Sequence, residues 1–215
     1  MIELRPSTTL ATQAYEAIEK MIVTKRIEPG SLISEAFLMD ATGLGRTPVR
    51  EAVQRLASNH LVRIHPNRGV FVPAETVESQ LRLLEIRRPL EVLAVRLACQ
   101  RAGVSERTAI ACLTRELDAG GFDIDGYAET IARTHALIAD AAHNEFLSSA
   151  MAPLQGLSRR FWLTHLRDED AEIRAGSRLH RDVLQAILDR SARRAEEQSL
   201  ALNDYLADHA RRSIA

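Results

Sequence analysis

Apolar residues recur at helical spacing near the start of the chain. Leu10, Ala14, Tyr15, Ile18, Met21 and Ile22 fall on one face and predict an amphipathic helix over residues 10–24. EPGS at 28–31 predicts a turn. Ser34 suits the cap of a short second helix with Phe37, Leu38 and Ala41 inward, and TGLG at 42–45 predicts a tight glycine turn after it. Val49, Ala52, Val53 and Leu56 predict a third helix, with Thr47 as its cap and Pro48 in the first helical position, where no N–H is needed. The pattern then changes: LVRIHPNRGVFV, residues 61–72, reads as strand, Pro-Asn-Arg-Gly turn, strand. Three helices and a hairpin make a winged helix-turn-helix.

After Pro73 the pattern is helical throughout, with stretches at about 77–101, 105–118, 125–142, 144–166, 170–190 and 192–212. Pro89 and Pro153 predict a kink or break in the first and fourth. Ser105 and Ser191 are candidate caps; Gly120-Gly121 and Asn144 mark breaks. The fold class is therefore mostly α: a winged helix-turn-helix over 1–73, then an all-α antiparallel bundle over 74–215, long enough for its own core.

Composition narrows the picture only modestly. Hydrophobic residues make up 46% and charged residues 27% of 215, as in an ordinary globular protein. No apolar run reaches the roughly 18 residues of a membrane span, and MIELRPSTTL lacks the apolar core of a secretory signal. Cys99 and Cys112 have no CxxC pairing and read as reduced core thiols, which suggests a cytoplasmic protein. Net charge is −1, but residues 1–73 carry 9 Lys+Arg against 7 Asp+Glu, whereas residues 74–215 carry 19 against 22. The front is mildly basic and the back mildly acidic.

The charge of the front part concentrates at one helix start. Arg46 and Arg50 are four apart and project from the same side, at the helix end whose dipole favours anions. In a helix-turn-helix that end enters the major groove. There an arginine can pair with guanine O6 and N7, Thr47 can meet phosphate or a base edge, and Gln54 lies one turn further on. The hairpin tip, Asn67-Arg68-Gly69, would lie on the DNA backbone or reach the minor groove, with Arg68 supplying charge and Gly69 permitting close approach. A phosphometabolite site fares worse as a reading, because Gly43-Leu44-Gly45 lacks the third glycine and the preceding strand of a dinucleotide fingerprint.

Residues 27–72, IEPGSLISEAFLMDATGLGRTPVREAVQRLASNHLVRIHPNRGVFV, resemble the DNA-binding domain of GntR-family bacterial transcription regulators. The resemblance spans the turn, the RTPVREA segment and the PNRG tip. Two departures stand out. The family's second helix carries Glu-Arg-x-Leu, where this chain has Glu35-Ala36-Phe37-Leu38, and its Ser or Thr before the first Arg is here Gly45. One DNA contact is therefore missing.

The second part resembles the FCD domain of the FadR-like branch of that family. The marks are Ile86-Arg87 with Leu90-Glu91, THALIADAAHN at 134–144 and LHRDVLQAIL at 179–188. In many FCD domains the resemblance implies an Asp and three His holding a divalent metal. This chain keeps His135 and His180, but Ile131 stands at the Asp position and Leu202, or Asn203 if the register slips by one, at the third His. Zinc wants three or four ligands, so no metal and no other cofactor is expected; any ion would fall to His135 and His180.

Ile131, His135, Ile138 and Ala142 share a stripe, as do His180, Val183, Leu184 and Ile187, so both histidines point inward. They are either satisfied core histidines or part of a polar effector pocket with Arg87 and Asn203. In the second case Arg87 is the carboxylate anchor, because its planar fork matches a carboxylate; otherwise it salt-bridges a neighbouring helix. His60, His65, His143, His165 and His209 share no spacing and read as surface or cap residues. Arg159 and Arg160 either flank the pocket or are solvated, with solvation the favoured reading; Trp162 reads as packed and DEDAE at 168–172 as a helix N-terminus.

Together these features predict a homodimeric, non-enzymatic transcription regulator, a repressor. It would bind a near-palindromic double-stranded DNA operator and respond to a small carboxylate held in the bundle. It would contact no membrane. Two rivals stay open: a constitutive DNA-binding protein with a ligand-blind bundle, and a metal-dependent hydrolase, for which no GxSxG, HExxH or Cys-His signature is present.

Overall fold

The computed structural model describes residues 9–213. The chain forms two compact units, Met1–Glu75 and Thr76–Ala215.

In the first unit, α1 (Leu10–Val23) starts at Thr9, whose hydroxyl accepts the Thr12 N–H, and buries Ala14, Ile18, Ile22 and Val23. Helix α2 (Glu35–Thr42) is capped by Ser34, as the spacing predicts, but buries only Leu38; Phe37 and Ala41 are exposed. An eight-residue helix on so small a core has room for one large inward side chain. Helix α3 (Arg46–Ser58) packs on α1 through Val49, Ala52, Val53 and Leu56. Its cap is Gly45 rather than Thr47, so Arg46, Thr47 and Pro48 are its first three residues. Pro48 is tolerated there because none of the first four N–H groups has a helical acceptor.

Strands β1 (Leu32–Ile33), β2 (Arg63–His65) and β3 (Gly69–Phe71) form an antiparallel sheet in the order β1-β3-β2. The hairpin matches the sequence pattern. The two-residue β1 does not show in it, because it exists only by pairing Leu32 with Phe71 and Ile33 with Val70.

The second unit is all-helical among the described residues: α4 (Val77–Arg101), α5 (Val104–Ala119), α6 (Ile124–Ala141), α7 (Glu145–Thr164), α8 (Glu169–Leu188) and α9 (Ala192–Arg212). Thr76 and Ser79 start α4 with reciprocal hydrogen bonds of 3.1 Å, a capping box. Helices α4 and α7 run through Pro89 and Pro153 without ending, so neither proline divides its element. Asp123, Asn144 and Asp168 cap α6, α7 and α8, each accepting an N–H three residues on. Ser105 is not a cap, since α5 begins after Gly103; Ser191 does stand at the N-cap position of α9 but makes no side-chain cap bond. Helix α4 touches α6, α7, α8 and α9 and forms the spine of the unit.

Several buried polar residues depart from the sequence pattern. Arg160 is 1% exposed rather than solvated, and His209 is buried beside Glu172 at 3.5 Å rather than at the surface. Cys99 is a core thiol, but Cys112 is exposed. No helix among the described residues is long and apolar enough to cross a membrane.

Candidate nucleic-acid interface and effector cavity

The turn between α2 and α3 is built on Gly43, whose φ of 68° lies in the left-handed region. It delivers Arg46, Thr47, Arg50 and Gln54 to the surface at the start of α3, all exposed. Arg46 makes no ion pair among the described residues, and Arg50 Nε lies 3.6 Å from Glu35 Oε1, both side chains solvated. Arg55 is turned to other work: its guanidinium sits 4.6 Å above the Tyr15 ring and bonds Thr12.

At the hairpin tip the Arg68 N–H donates to the His65 carbonyl at 3.0 Å, and the Arg68 side chain is exposed. Gly69 lacks a side chain for a reason that local sequence does not reveal. Its φ is 121°, and a Cβ there would lie 2.4 Å from the Ile33 carbonyl oxygen. The close approach it permits is that of strand β1.

In the helical unit, Arg87, Tyr127, Ile131, His135, Trp162 and His180 line a small inner cavity of about 30 Å³. A second small cavity of about 20 Å³ is lined by Glu91, Met151, Gln155 and Leu202. His135 and His180 line both and stand between them. The sequence stripes bring these two histidines together: their Nε2 atoms are 3.3 Å apart.

Arg87 is held by its own helix rather than a neighbouring one. Its Nε donates to Glu91 Oε1 at 2.8 Å, and Nη2 lies 3.3 Å from His135 Nε2. Glu91 is the hub of this cluster, also accepting from Gln155 at 3.3 Å and from Asn203 Nδ2 at 2.8 Å. Asn203 therefore orients Glu91 and does not line the inner cavity, contrary to its place in the expected effector set. Arg159 lines the cavity instead of being solvated, as do Tyr127 and Tyr205. Tyr127 was invisible as a site residue because its position depends on Gly176, far along the chain in another helix: a Cβ at Gly176 would lie 2.0 Å from the Tyr127 hydroxyl.

Burial holds His135 well below the ordinary histidine range, and the cations Arg87 and Arg159 add to it. Burial also pushes His180 down to about 4, against the partial help of the Gly176 carbonyl and Glu91. Both rings are neutral at neutral pH. His180 Nδ1 lies 2.8 Å from the Gly176 carbonyl, which only accepts, so the His180 proton sits on Nδ1 and its Nε2 is a lone pair. His135 Nε2 can then donate to His180 or accept from Arg87, not both. Either way His135 Nδ1 is buried with no partner among the described residues.

These donors do not fit a divalent metal. Ile131 and Leu202 offer no ligand atom, and the Arg87 guanidinium is a fixed cation beside the histidine pair. The cluster suits a neutral or anionic group with a hydrogen-bond donor and acceptor.

Residues 10–72 match the model for bacterial regulatory proteins of the gntR family, and residues 82–204 match that for the FCD domain. The HTH-type transcriptional regulator YdhC of Bacillus subtilis (strain 168) is 26% identical over 212 residues, covering 96% of this chain and 93% of that protein. The galactonate operon transcriptional repressor of Escherichia coli (strain K12) is 24% identical over 203 residues, covering 85% and 89%. Among solved structures, E. coli McbR/YncC superposes with a TM-score of 0.82 at 18% identity, over 97% of this chain and 100% of that one, which is a likeness of fold.

Proposed function

The chain belongs to the gntR family of bacterial regulatory proteins and carries an FCD domain, so it is a DNA-binding transcription regulator, and we propose that it is a homodimeric repressor released by a small carboxylate. The observation that carries the DNA reading is the exposed start of α3, where Arg46 has no ion-pair partner among the described residues. In this reading Arg46 and Arg50 take guanine edges, while Thr47 and Gln54 take phosphate or base edges. Arg68, with the backbone at Gly69, lies against the DNA backbone. The protein works in the cytoplasm, and the proposal gives it no catalytic role.

The dimer is supported by the outward face of α4. Leu83, Ile86, Leu90, Leu93 and Leu97 alternate at spacings of three and four, with Ile86 57% and Leu93 37% exposed. Under a two-fold axis Leu83 meets Leu97 of a second copy and Leu90 meets itself, so the stripe is self-complementary.

The carboxylate is supported by Arg87 and His135 in the inner cavity, whose other walls are largely aromatic and apolar. A relative is named for galactonate, a sugar acid. Ligand binding lowers DNA affinity only by as much as the ligand prefers the DNA-free arrangement. The ligand-blind rival has an observation of its own: Arg87 is already engaged by Glu91.

Two measurements test the proposal. Native mass spectrometry weighs the assembly and anything carried in the cavity; a monomer would refute the dimer. Fluorescence anisotropy of a duplex from upstream of the protein's own gene is then followed while small carboxylic acids are added. Release by one of them is expected. If none alters DNA affinity or melting temperature, the bundle is ligand-blind.

A further inference from the structure

A further cavity lies outside the bundle core. It is a groove of about 470 Å³ between the outer face of α8 and the loop after α5. Its floor is apolar, with Leu117 and Ile173 buried. One wall is the loop of Gly120 and Gly121, whose φ values of 64° and 78° favour glycine, with Phe122 beside them. The other wall is polar. Arg174, Ser177 and Arg178 stand at i, i+3 and i+4, so all three project from one turn of α8.

The partners of these three are unusual for this protein. The inward and interhelical arginines of the bundle are engaged: Arg87 with Glu91, Arg88 with Asp204, Arg96 with Glu196 and Arg133 with Glu116. Arg181, at the end of the groove, is likewise held by Asp118 and Asp182, each at 2.8 Å. Arg174 and Arg178 make no ion pair or hydrogen bond among the described residues, although Asp170 lines the same groove. Ser177 is 6% exposed, and its hydroxyl is buried with no hydrogen-bond partner among the described residues. A buried hydroxyl without a partner is destabilising, and such groups are rare.

We infer that this groove is a second anion site, separate from the inner cavity, and that it takes the phosphate group of a small phosphate monoester. Two guanidinium groups one helical turn apart bracket a tetrahedral dianion and match its oxygens. The Ser177 hydroxyl, turned outward by a change of rotamer, donates to a third oxygen and loses its orphan status. Asp118 is engaged by Arg181, so Asp170 is the one carboxylate of the lining that faces Arg174 and Arg178, and the lining carries three arginines against two aspartates. The apolar floor leaves room for the body of the ester. A carboxylate is flat and uses one fork; a phosphate uses all three donors.

Calorimetric titration of the full-length protein with inorganic phosphate tests the site, with malonate as the dicarboxylate probe and sodium chloride holding ionic strength constant. Saturable phosphate binding is expected, with malonate weaker. Arg174→Gln/Arg178→Gln should weaken it by about tenfold or more, the loss expected for charge-assisted hydrogen bonds. Ser177→Ala should weaken it several-fold. Arg46→Gln/Arg50→Gln, which removes the anion-binding charge of the winged unit, should leave it in place. The inference is overturned if phosphate shows no saturable binding, if malonate binds as tightly, or if Arg174→Gln/Arg178→Gln binds phosphate like the parent. Should that double variant misfold by circular dichroism, Arg178→Gln alone decides between the same outcomes, with about a threefold loss expected.

Discussion

Arg50 in the winged unit has a side chain 61% exposed and meets Glu35 at 3.6 Å, whereas Arg87 in the helical unit is 3% exposed and meets Glu91 at 2.8 Å. The first pair is bathed in water, which screens it to little effect on stability. The second has been stripped of water, and each charge is compensated chiefly by the other. An exposed arginine can be given over wholly to a binding partner. A buried one is structural before it is anything else, and meets only what enters its cavity.

Removing each arginine in turn probes that contrast most strongly. Arg87→Ala should destabilise the helical unit by about 3–5 kcal/mol, because it strands Glu91 without its cation. Arg50→Ala should change stability by no more than about 0.5 kcal/mol. Urea denaturation reads both, and equal losses would erase the distinction. The pH profile sharpens it from the other side. His180 is folded with a pKa of about 4 and unfolds toward 6.5, so the unfolded chain binds the proton first. The helical unit should keep full stability above pH 6.5 and lose it as pH falls toward 4, with His135 acting in the same direction. In His180→Gln that decline should flatten; an unaltered profile would mean the ring is not held neutral.

Smaller effects belong to the winged unit. Arg50→Ala should weaken operator binding by about 1–3 kcal/mol if it reads a guanine, while leaving the melting temperature in place; anisotropy with matched thermal melts separates the two. Gly69→Ala should destabilise the winged unit by about 1–3 kcal/mol, since its new methyl meets the Ile33 carbonyl. Gly45→Ser should stabilise α3 by a few tenths of a kcal/mol, because a hydroxyl at that cap can accept an N–H and nothing lies within 4 Å of the new Cβ.

The legible parts of the molecule are those set by local period. The face of α3, the hairpin, and the inward histidine stripes all follow from spacing along one element. What escaped the sequence depends on atoms far along the chain. Strand β1 exists only against β3, and the need for glycine at position 69 comes from the Ile33 carbonyl. Asn203 lies at the edge of the expected ligand set, yet its amide is turned to Glu91, more than a hundred residues away. His209 looks like a surface residue until Glu172 arrives from another helix to meet it. Buried polar residues are the hardest to foresee, because burial is tolerable only through partners that no local pattern names.

Helix α4 has two faces with different tasks. Arg87 and Glu91 look into the bundle, while Ile86, Leu90 and Leu93 look away from it, on the face proposed to meet a second copy. If a ligand at Arg87 binds the paired form better than the single one, self-association must tighten by the same factor. The affinity measured for an effector would then depend on how much protein is in the tube. In a cell the same coupling would make the regulator's own abundance part of the signal it reads.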